Sequence, residues 1–331
     1  MRLAGINLAV FVALLVAALG AAEAWLRLTV PASSEESIFE YTLETGRYKR
    51  MRPNASIIAW GKELRTNSLG FRDRHATLPA KQPDEFRIAV LGDSFTLSAG
   101  VEHERIYTSV LEDMLRSRQP GVRVVNLAVS GYNIRQYELV LQEVALGLQP
   151  DLLIVAVFPT NDFSNEGMEG NLRRARGDPA PPPPAFPRNL HIWRAWLGRV
   201  AAKLSPEPKP ASTDTGWEDN IAALERIIAT AKSERLPIVV ATLPHTRNFQ
   251  SQRALHSRVL RFCEQLGVPT VGLLDLFIAA GVEESSLRLN AIDSHPNEHY
   301  NLLAARAFAA RLGDLVDPPA SSAQASPVLL P

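Results

Sequence analysis

Across its 331 residues the chain has a single cysteine, Cys263. One thiol excludes an internal disulfide framework and a cysteine-based zinc site. Set in RFCEQLG, it reads as a structural thiol on a helix that faces the core. A surplus of charge is equally absent, since 35 basic residues balance 35 acidic ones. Nucleic acid is therefore excluded as a partner, because binding it calls for a strong basic excess. The seven histidines show no close metal spacing such as H-E-x-x-H, so no metal or other cofactor is expected. No internal repeat is present.

Charge is also missing locally. After Met1-Arg2 no charged residue occurs until Glu23. About 20 apolar residues in a helix span roughly 30 Å, the thickness of a hydrocarbon core. No polar stripe runs along the segment, as it would in a helix packed on a soluble domain. Residues 1–28 therefore read as a membrane anchor, and the small residues of AAEA supply the alternative, a signal cleaved to release a secreted form. The one positive residue ahead of the segment favours an inside N-terminus. The remainder is then extracytoplasmic, in the periplasm of a Gram-negative source.

What is present is apolar: 46% of residues, enough for one large domain with its own core. Residues 29–85 have no strong period and read as a stalk and N-terminal extension lying against that domain. They include the polar turn RTNSLGFRDR. From Phe86 a regular rhythm begins. RIAVLG, Val122–Val129, Asp151–Phe158, PIVVATL and PTVGLLDL read as five strands. Between and after them, helices are expected over Arg105–Arg118, Ile134–Leu148, 217–236, Phe249–Leu266 and Glu298–Leu312. In the second of these, Leu139, Val140, Val144 and Leu148 are expected on the buried face. Continuous apolar strands separated by helices mean a parallel sheet covered on both faces, a three-layer α/β/α sandwich of flavodoxin-like style.

The rhythm breaks over 163–215, where proline runs at 178–187 and 205–212 exclude a central strand or a helix interior. The stretch between them, NLHIWRAWLGRVAAKL, reads as a short helix with Trp193, Trp196 and Leu197 apolar. An insert of this length is a lid, a docking segment or disordered. The main domain is bounded at 86–315, and the low-complexity tail 316–331 reads as disordered.

In an open parallel sheet, ligands bind beyond the carboxyl ends of the strands. There the sequence sets Gly92-Asp93-Ser94, Ser130-Gly131-Tyr132-Asn133, Pro159-Thr160-Asn161-Asp162, Pro244-His245-Thr246 and Asp293-Ser294-His295. Hydroxyl, amide, carboxyl and imidazole on one rim form the inventory for acyl transfer. A serine needs a base to become a nucleophile. His295 suits that role, and Asp293 suits the other ring nitrogen. Ser94 N–H, Gly131 N–H and the Asn161 amide are candidate donors to an oxyanion. His245 is a candidate substrate contact. Ser94 has a plainer reading as a helix N-cap, while Asp93 reads as a brace for the turn and Asn126 as a tie between loops.

The blocks GDSFT, SGYN, PTND and DSHPN resemble, in order and spacing, the SGNH (GDSL-type) hydrolases over residues 86 to 315. The resemblance implies Ser94 as nucleophile, Gly131 and Asn161 as partners of Ser94 in the oxyanion hole, and Asp293 and His295 as acid and base. Two details depart from the usual pattern: D-x-H where many members have D-x-x-H, and P-T-N-D where G-x-N-D is common. The apolar N-terminus and TNSLGFRD look most like membrane-anchored bacterial members, which often accompany surface-polysaccharide genes. The expected activity is that of a serine esterase acting on O-acyl esters of cell-envelope carbohydrate or lipid. O-acyl transfer to an exopolysaccharide and a non-catalytic envelope scaffold are the alternatives.

Overall fold

A computed structural model describes residues 2–29, 35–75, 80–178, 190, 192, 215–290 and 293–316. The proline runs, Trp193, Trp196 and Leu197 of the insert, and the tail from 317 onward lie outside them. Arg2–Thr29 is one helix. From Leu8 on it is long and apolar enough to cross a membrane; its side chains there are largely exposed, with Leu26 near its end buried.

The central sheet has five parallel strands: β5 (Phe86–Leu91), β6 (Val122–Asn126), β7 (Leu152–Val157), β8 (Ile238–Thr242) and β9 (Thr270–Gly272). They lie in the order β6-β5-β7-β8-β9. Every residue of β7 and β8 is buried, as continuous apolar runs require in a sheet covered twice. Side-chain alternation divides the core in two. Ala89, Leu91, Val125, Leu153, Val155 and Val240 face helices 134–140, 215–233 and 249–265. Ile88, Val90, Val124, Ile154, Ala156 and Val239 face helices 107–116, 273–279 and 298–316. These are the three layers expected, and Cys263 is fully buried in the first core.

Some boundaries differ from the pattern reading. β9 ends at Gly272, and LLDL opens a helix, Leu273–Ala279. Leu273, Leu274 and Phe277 are all buried, a helical spacing that a two-residue alternation cannot produce. The helix from Ile134 passes through a π-turn at Leu141–Ala145 and a 3₁₀ turn at Leu146–Leu148. The extra residue in the π-turn shifts the phase. Tyr137, Val140, Leu141 and Ala145 are buried, while Leu139, Val144 and Leu148 are only half-buried.

Residues 35–75 fold as two antiparallel hairpins, β1 (Phe39–Tyr41) with β2 (Lys49–Met51), and β3 (Ser56–Ala59) with β4 (Lys62–Arg65). Their Ile38, Met51, Ala59, Leu64 and Phe71 join the first core directly. The polar turn after β4 reaches further in. Asn67 Oδ1 accepts from the N–H groups of Leu69 and Phe71, at 2.9 and 3.0 Å. That closes a turn from which Arg72 projects, fully buried. The Arg72 guanidinium donates to the carbonyls of Leu97, Ser98 and Val101, at 2.8, 2.5 and 2.6 Å. Asp73 Oδ2 accepts from Asn126 N–H at the end of β6, at 3.0 Å. The TNSLGFRD stretch thus ties the loops that follow β5 and β6.

Replacing Arg72 with methionine leaves the buried Leu97 and Val101 carbonyls without a donor, each worth roughly 1–3 kcal/mol, while the Ser98 carbonyl keeps the Val101 N–H at 3.0 Å; the loss is offset in part by the arginine's own burial cost. We expect a net destabilisation of about 3 kcal/mol, read as a lowered urea midpoint in detergent solution. An unchanged midpoint would refute this account of the turn.

Candidate active site

β5 ends at Leu91 and the chain bends through Gly92-Asp93. Gly92 is required here, because a Cβ would fall 2.2 Å from Thr96 Oγ1. Thr96 itself is buried and bonded to the Tyr107 hydroxyl at 3.0 Å. Ser94 opens a single helical turn, Ser94–Leu97. The cap of that turn is Asp93, whose Oδ1 accepts from Phe95 N–H at 2.9 Å. The plainer reading of Ser94 as the N-cap is therefore corrected, and its hydroxyl is left for another partner. Asp93 is buried, and desolvation pushes its carboxyl up to about 6 against the N–H of Phe95 and the nearby His295.

That partner is His295. Its Nε2 lies 3.0 Å from Ser94 Oγ, across 201 residues of sequence. On the other side of the ring, His295 Nδ1 lies 2.6 Å from Asp293 Oδ1. The same carboxylate oxygen accepts from the His295 backbone N–H at 2.8 Å. The D-x-H spacing thus closes a small Asx-type turn, in which one oxygen fixes both the backbone and the ring of the histidine. The turn is held on either side: Asn290 Oδ1 accepts from Asp293 N–H at 2.9 Å, and Leu289 N–H donates to the His295 carbonyl at 2.8 Å. From the β8 loop, Thr246 Oγ1 donates to the Ser294 carbonyl at 2.6 Å. The side chain stays 45% exposed, and its partial desolvation works against the charge of the ring. The Asp293 hydrogen bond and carboxylate charge outweigh it, so the imidazole pKa lies above its ordinary value.

An aromatic wall supports this side of the rim. Phe95 stacks on Phe158 with centroids 3.9 Å apart, and the His295 ring lies 5.5 Å from Phe95. His245 flanks the same two rings, at 6.1 and 6.0 Å. Its backbone is clasped by Gln252, and desolvation brings its pKa down to about 4, so it is neutral at pH 7. Behind the turn, Asn301 Oδ1 accepts from Ser98 Oγ at 3.1 Å and from Tyr107 N–H at 2.8 Å. This locks helix 298–316 to the segment that carries Ser94. His299, nearby in sequence, is exposed and lies 3.5 Å from Ser286 Oγ.

The other predicted residues follow the neighbouring strands. Beyond β6, Leu127 N–H and Val129 N–H still bond the carbonyls of Val90 and Gly92, at 2.9 and 3.1 Å. Asn126 bridges the loops as expected of it: its Oδ1 accepts from Ala128 N–H at 3.0 Å, and its amide reaches Thr96 O at 3.5 Å. Val129-Ser130-Gly131-Tyr132 then forms a tight turn closed by Tyr132 N–H on Val129 O at 3.2 Å. Gly131 has φ of +73°. Beyond β7, Asn161 lies half-buried in the single turn Pro159–Asp162. Beneath it Asp162 is fully buried, and its Oδ2 accepts from the Tyr137 hydroxyl and from Phe158 N–H, both at 2.7 Å. Burial, reinforced by the charge of Asp93, drives the Asp162 carboxyl well above the carboxylate range. Among the described residues no group of three or more His, Cys, Asp or Glu side chains is arranged to hold a metal ion.

The pattern reading missed the contribution of the extension. Arg72 clamps the back of the Ser94 segment, and Lys49 Nζ donates to the Ser130 carbonyl at 2.9 Å. Neither lies on an amphipathic period. The one signal in the sequence was the Asn/Gly-bearing turn TNSLG that delivers Arg72.

Comparison with known proteins adds three findings. Among solved structures, the chain is similar to an acetylxylan esterase from Geobacillus stearothermophilus (16% identity, TM-score 0.46), over 70% of this chain and 96% of that one. It is similar also to LAE5, an α/β hydrolase from the Lake Arreo metagenome (19%, TM-score 0.44), over 72% of this chain and 98% of the other. A two-domain esterase active on acetylated mannans matches at 14% identity and TM-score 0.41, over 74% of this chain and 53% of that one. Comparison with curated proteins yields no match. The GDSL-like lipase/acylhydrolase family matches over residues 90–299, which hold every block of the rim, and the chain belongs to that family as an SGNH-type ester hydrolase.

Proposed function

We propose that the protein hydrolyses O-acyl esters through an acyl-enzyme formed on Ser94. The observation that carries this is the continuous contact Ser94 Oγ–His295 Nε2–Asp293, at 3.0 and 2.6 Å. In the proposed reaction His295 Nε2 takes the Ser94 proton as Oγ attacks the ester carbonyl. Asp293 holds the tautomer with Nδ1 protonated and stabilises the imidazolium. The oxyanion is met by Ser94 N–H, Gly131 N–H and the Asn161 amide. Collapse expels the alcohol, which takes its proton from His295. Water then repeats the cycle on the acyl-enzyme, with His295 again as base, and releases the acid.

The proposed substrate is an acylated cell-envelope glycan. A cleft of about 150 Å³ lies between the extension and helix 166–175, lined by Tyr48, Arg135, Asn165, Met168, Glu169 and Leu172. Tyr48, Arg135, Asn165 and Glu169 can offer hydrogen bonds to sugar hydroxyls, while the largely apolar surface they leave exposed suits an acyl chain or the apolar face of a sugar ring. The helix Arg2–Thr29, at roughly 1.5 Å per residue, is long enough to span a bilayer. In this reading it tethers the domain on the extracytoplasmic side, and His245 contacts substrate as a neutral ring.

Ser94→Ala is expected to lower turnover of p-nitrophenyl acetate by at least about 10,000-fold with folding unchanged. A fluorophosphonate should label Ser94 in the native enzyme. Retained activity, or an adduct elsewhere only, would remove the nucleophile from this mechanism.

The pH profile follows from the histidine. A base must be unprotonated, so kcat/KM falls as pH drops through the His295 pKa, which lies above the ordinary 6.5. Asp293→Asn takes away the carboxylate that raises it. The acid limb should move to lower pH while kcat drops by about 1,000- to 10,000-fold. A limb that stays in place would assign the acidic pKa to another group.

A further inference from the structure

We propose that Lys49, on β2 of the N-terminal extension, is a positioning residue for the oxyanion site. Its ammonium holds the Ser130 carbonyl and so aims the Gly131 N–H at the developing oxyanion. The inference rests on Gly131 being one of the oxyanion donors.

The argument starts from the turn. Tyr132 N–H bonds Val129 O, Gly131 has φ of +73°, and Ser130 is not among the residues with positive φ. Those are the marks of a type II turn with glycine in the third place. Types I and II differ by a half-rotation of the central peptide, here Ser130–Gly131. A flip of that one unit reverses the direction of the Gly131 N–H, because a trans peptide points its C=O and N–H to opposite sides. The turn alone sets little against such a flip, since glycine tolerates both signs of φ.

Lys49 supplies the bias. Its Nζ is 2.9 Å from Ser130 O, and a Cβ on Gly131 would stand 3.7 Å from the same atom. The ammonium therefore lies against the very peptide that can flip. It also sits 3.6 Å from the centroid of the Phe39 ring, which fixes it from the other side. Lys49 is only 7% exposed, an unusual position for a lysine. Its backbone is fastened to the same loop. The Tyr132 hydroxyl donates to the Lys49 carbonyl, and the Gln136 amide donates to the Arg47 carbonyl at 2.6 Å. Lys49, held by Tyr132 on a segment that Gln136 fastens at Arg47, thus clamps the peptide just before Tyr132. A charged donor on the carbonyl also polarises the peptide, which makes its N–H a stronger donor.

The charged groups facing the ammonium are Glu35 and Glu36 of the turn before β1, and Arg174 of helix 166–175. Burial brings the lysine down to about 8, the two glutamates acting in the opposite sense and Arg174 in the same sense as burial. The positive charge is present at neutral pH and fades as pH rises through that value.

Lys49→Met keeps the stem against Phe39 and removes the charge. With p-nitrophenyl acetate, kcat should fall about 10- to 100-fold, part of what losing a whole oxyanion donor costs, while KM changes less than twofold. A folded variant with kcat within twofold of the native enzyme would overturn the proposal. Should that variant fail to fold, Lys49→Leu takes its place, with the same expected fall in kcat and the same overturning result, and Lys49→Arg, which keeps a charged donor, should retain more of the kcat than either. Ser94→Ala keeps the two ideas apart. If it abolishes turnover and Lys49 proves indifferent, only the positioning role falls. If it does not, the serine mechanism itself falls.

Discussion

The pairing of β5 between β6 and β7 is the constraint on which the rest depends. Parallel strands in register end together, so the chain leaves Leu91, Asn126 and Val157 on one rim. Each then turns at once: into Gly92-Asp93-Ser94, into Val129–Tyr132 and into Pro159–Asp162. No single segment holds a site. Proximity is created by the backbone ladder, and the ladder continues past β6 through the Leu127 and Val129 N–H groups. The fourth contributor, the Asp293–His295 turn, belongs to no strand. It is tied to the rim by Thr246 from the β8 loop and by helix 298–316 through Asn301. Anything that slid β5 against its neighbours would part all of these at once.

Burying cations is costly, and this fold buries two from its N-terminal extension. Arg72 and Lys49 each discharge that cost on backbone carbonyls of the loops around Ser94 and Gly131. Loops at strand ends leave carbonyls that no helix or sheet partner claims. A guanidinium with five donors in a fixed fork satisfies three at once, while an ammonium addresses one point. The hairpins of residues 39–65 are thus part of the domain in an energetic sense, joined through the shared core of Ile38, Met51, Leu64 and Phe71.

The sheet and the rim were legible in the sequence because their information is local. A buried parallel strand announces itself as an unbroken apolar run, and GDSFT, SGYN, PTND and DSHPN each sit directly after a strand or before a helix. Asp293 and His295 were readable as a pair from two residues of spacing. Where the reading slipped, the cause was non-local or geometric. LLDL has strand-like composition, but Leu273, Leu274 and Phe277 bury a helical face. The π-turn at Leu141 rotates a face that ideal periodicity places elsewhere. Lys49 and Arg72 were invisible because their partners lie 81 and 25 residues away, and a cation read in sequence is assigned to solvent by default.

In the proposed reaction a proton leaves Ser94 for His295 while charge gathers on the ester oxygen, so the transition state is a dipole, positive at the imidazole and negative at the oxyanion. The fixed charges of the rim are arranged along that dipole. Asp293 contacts the imidazole, and Asp93 adds its field from beneath the turn, both favouring the protonated ring. The ammonium of Lys49 stands on the other side, behind the Ser130–Gly131 peptide. Each of these groups is fixed by packing before substrate arrives, so no reorganisation is needed when charge moves. Beneath Asn161, burial and the charge of Asp93 push the Asp162 carboxyl upward, so the same Asp93 that favours a positive imidazole disfavours a second negative charge under the neighbouring turn.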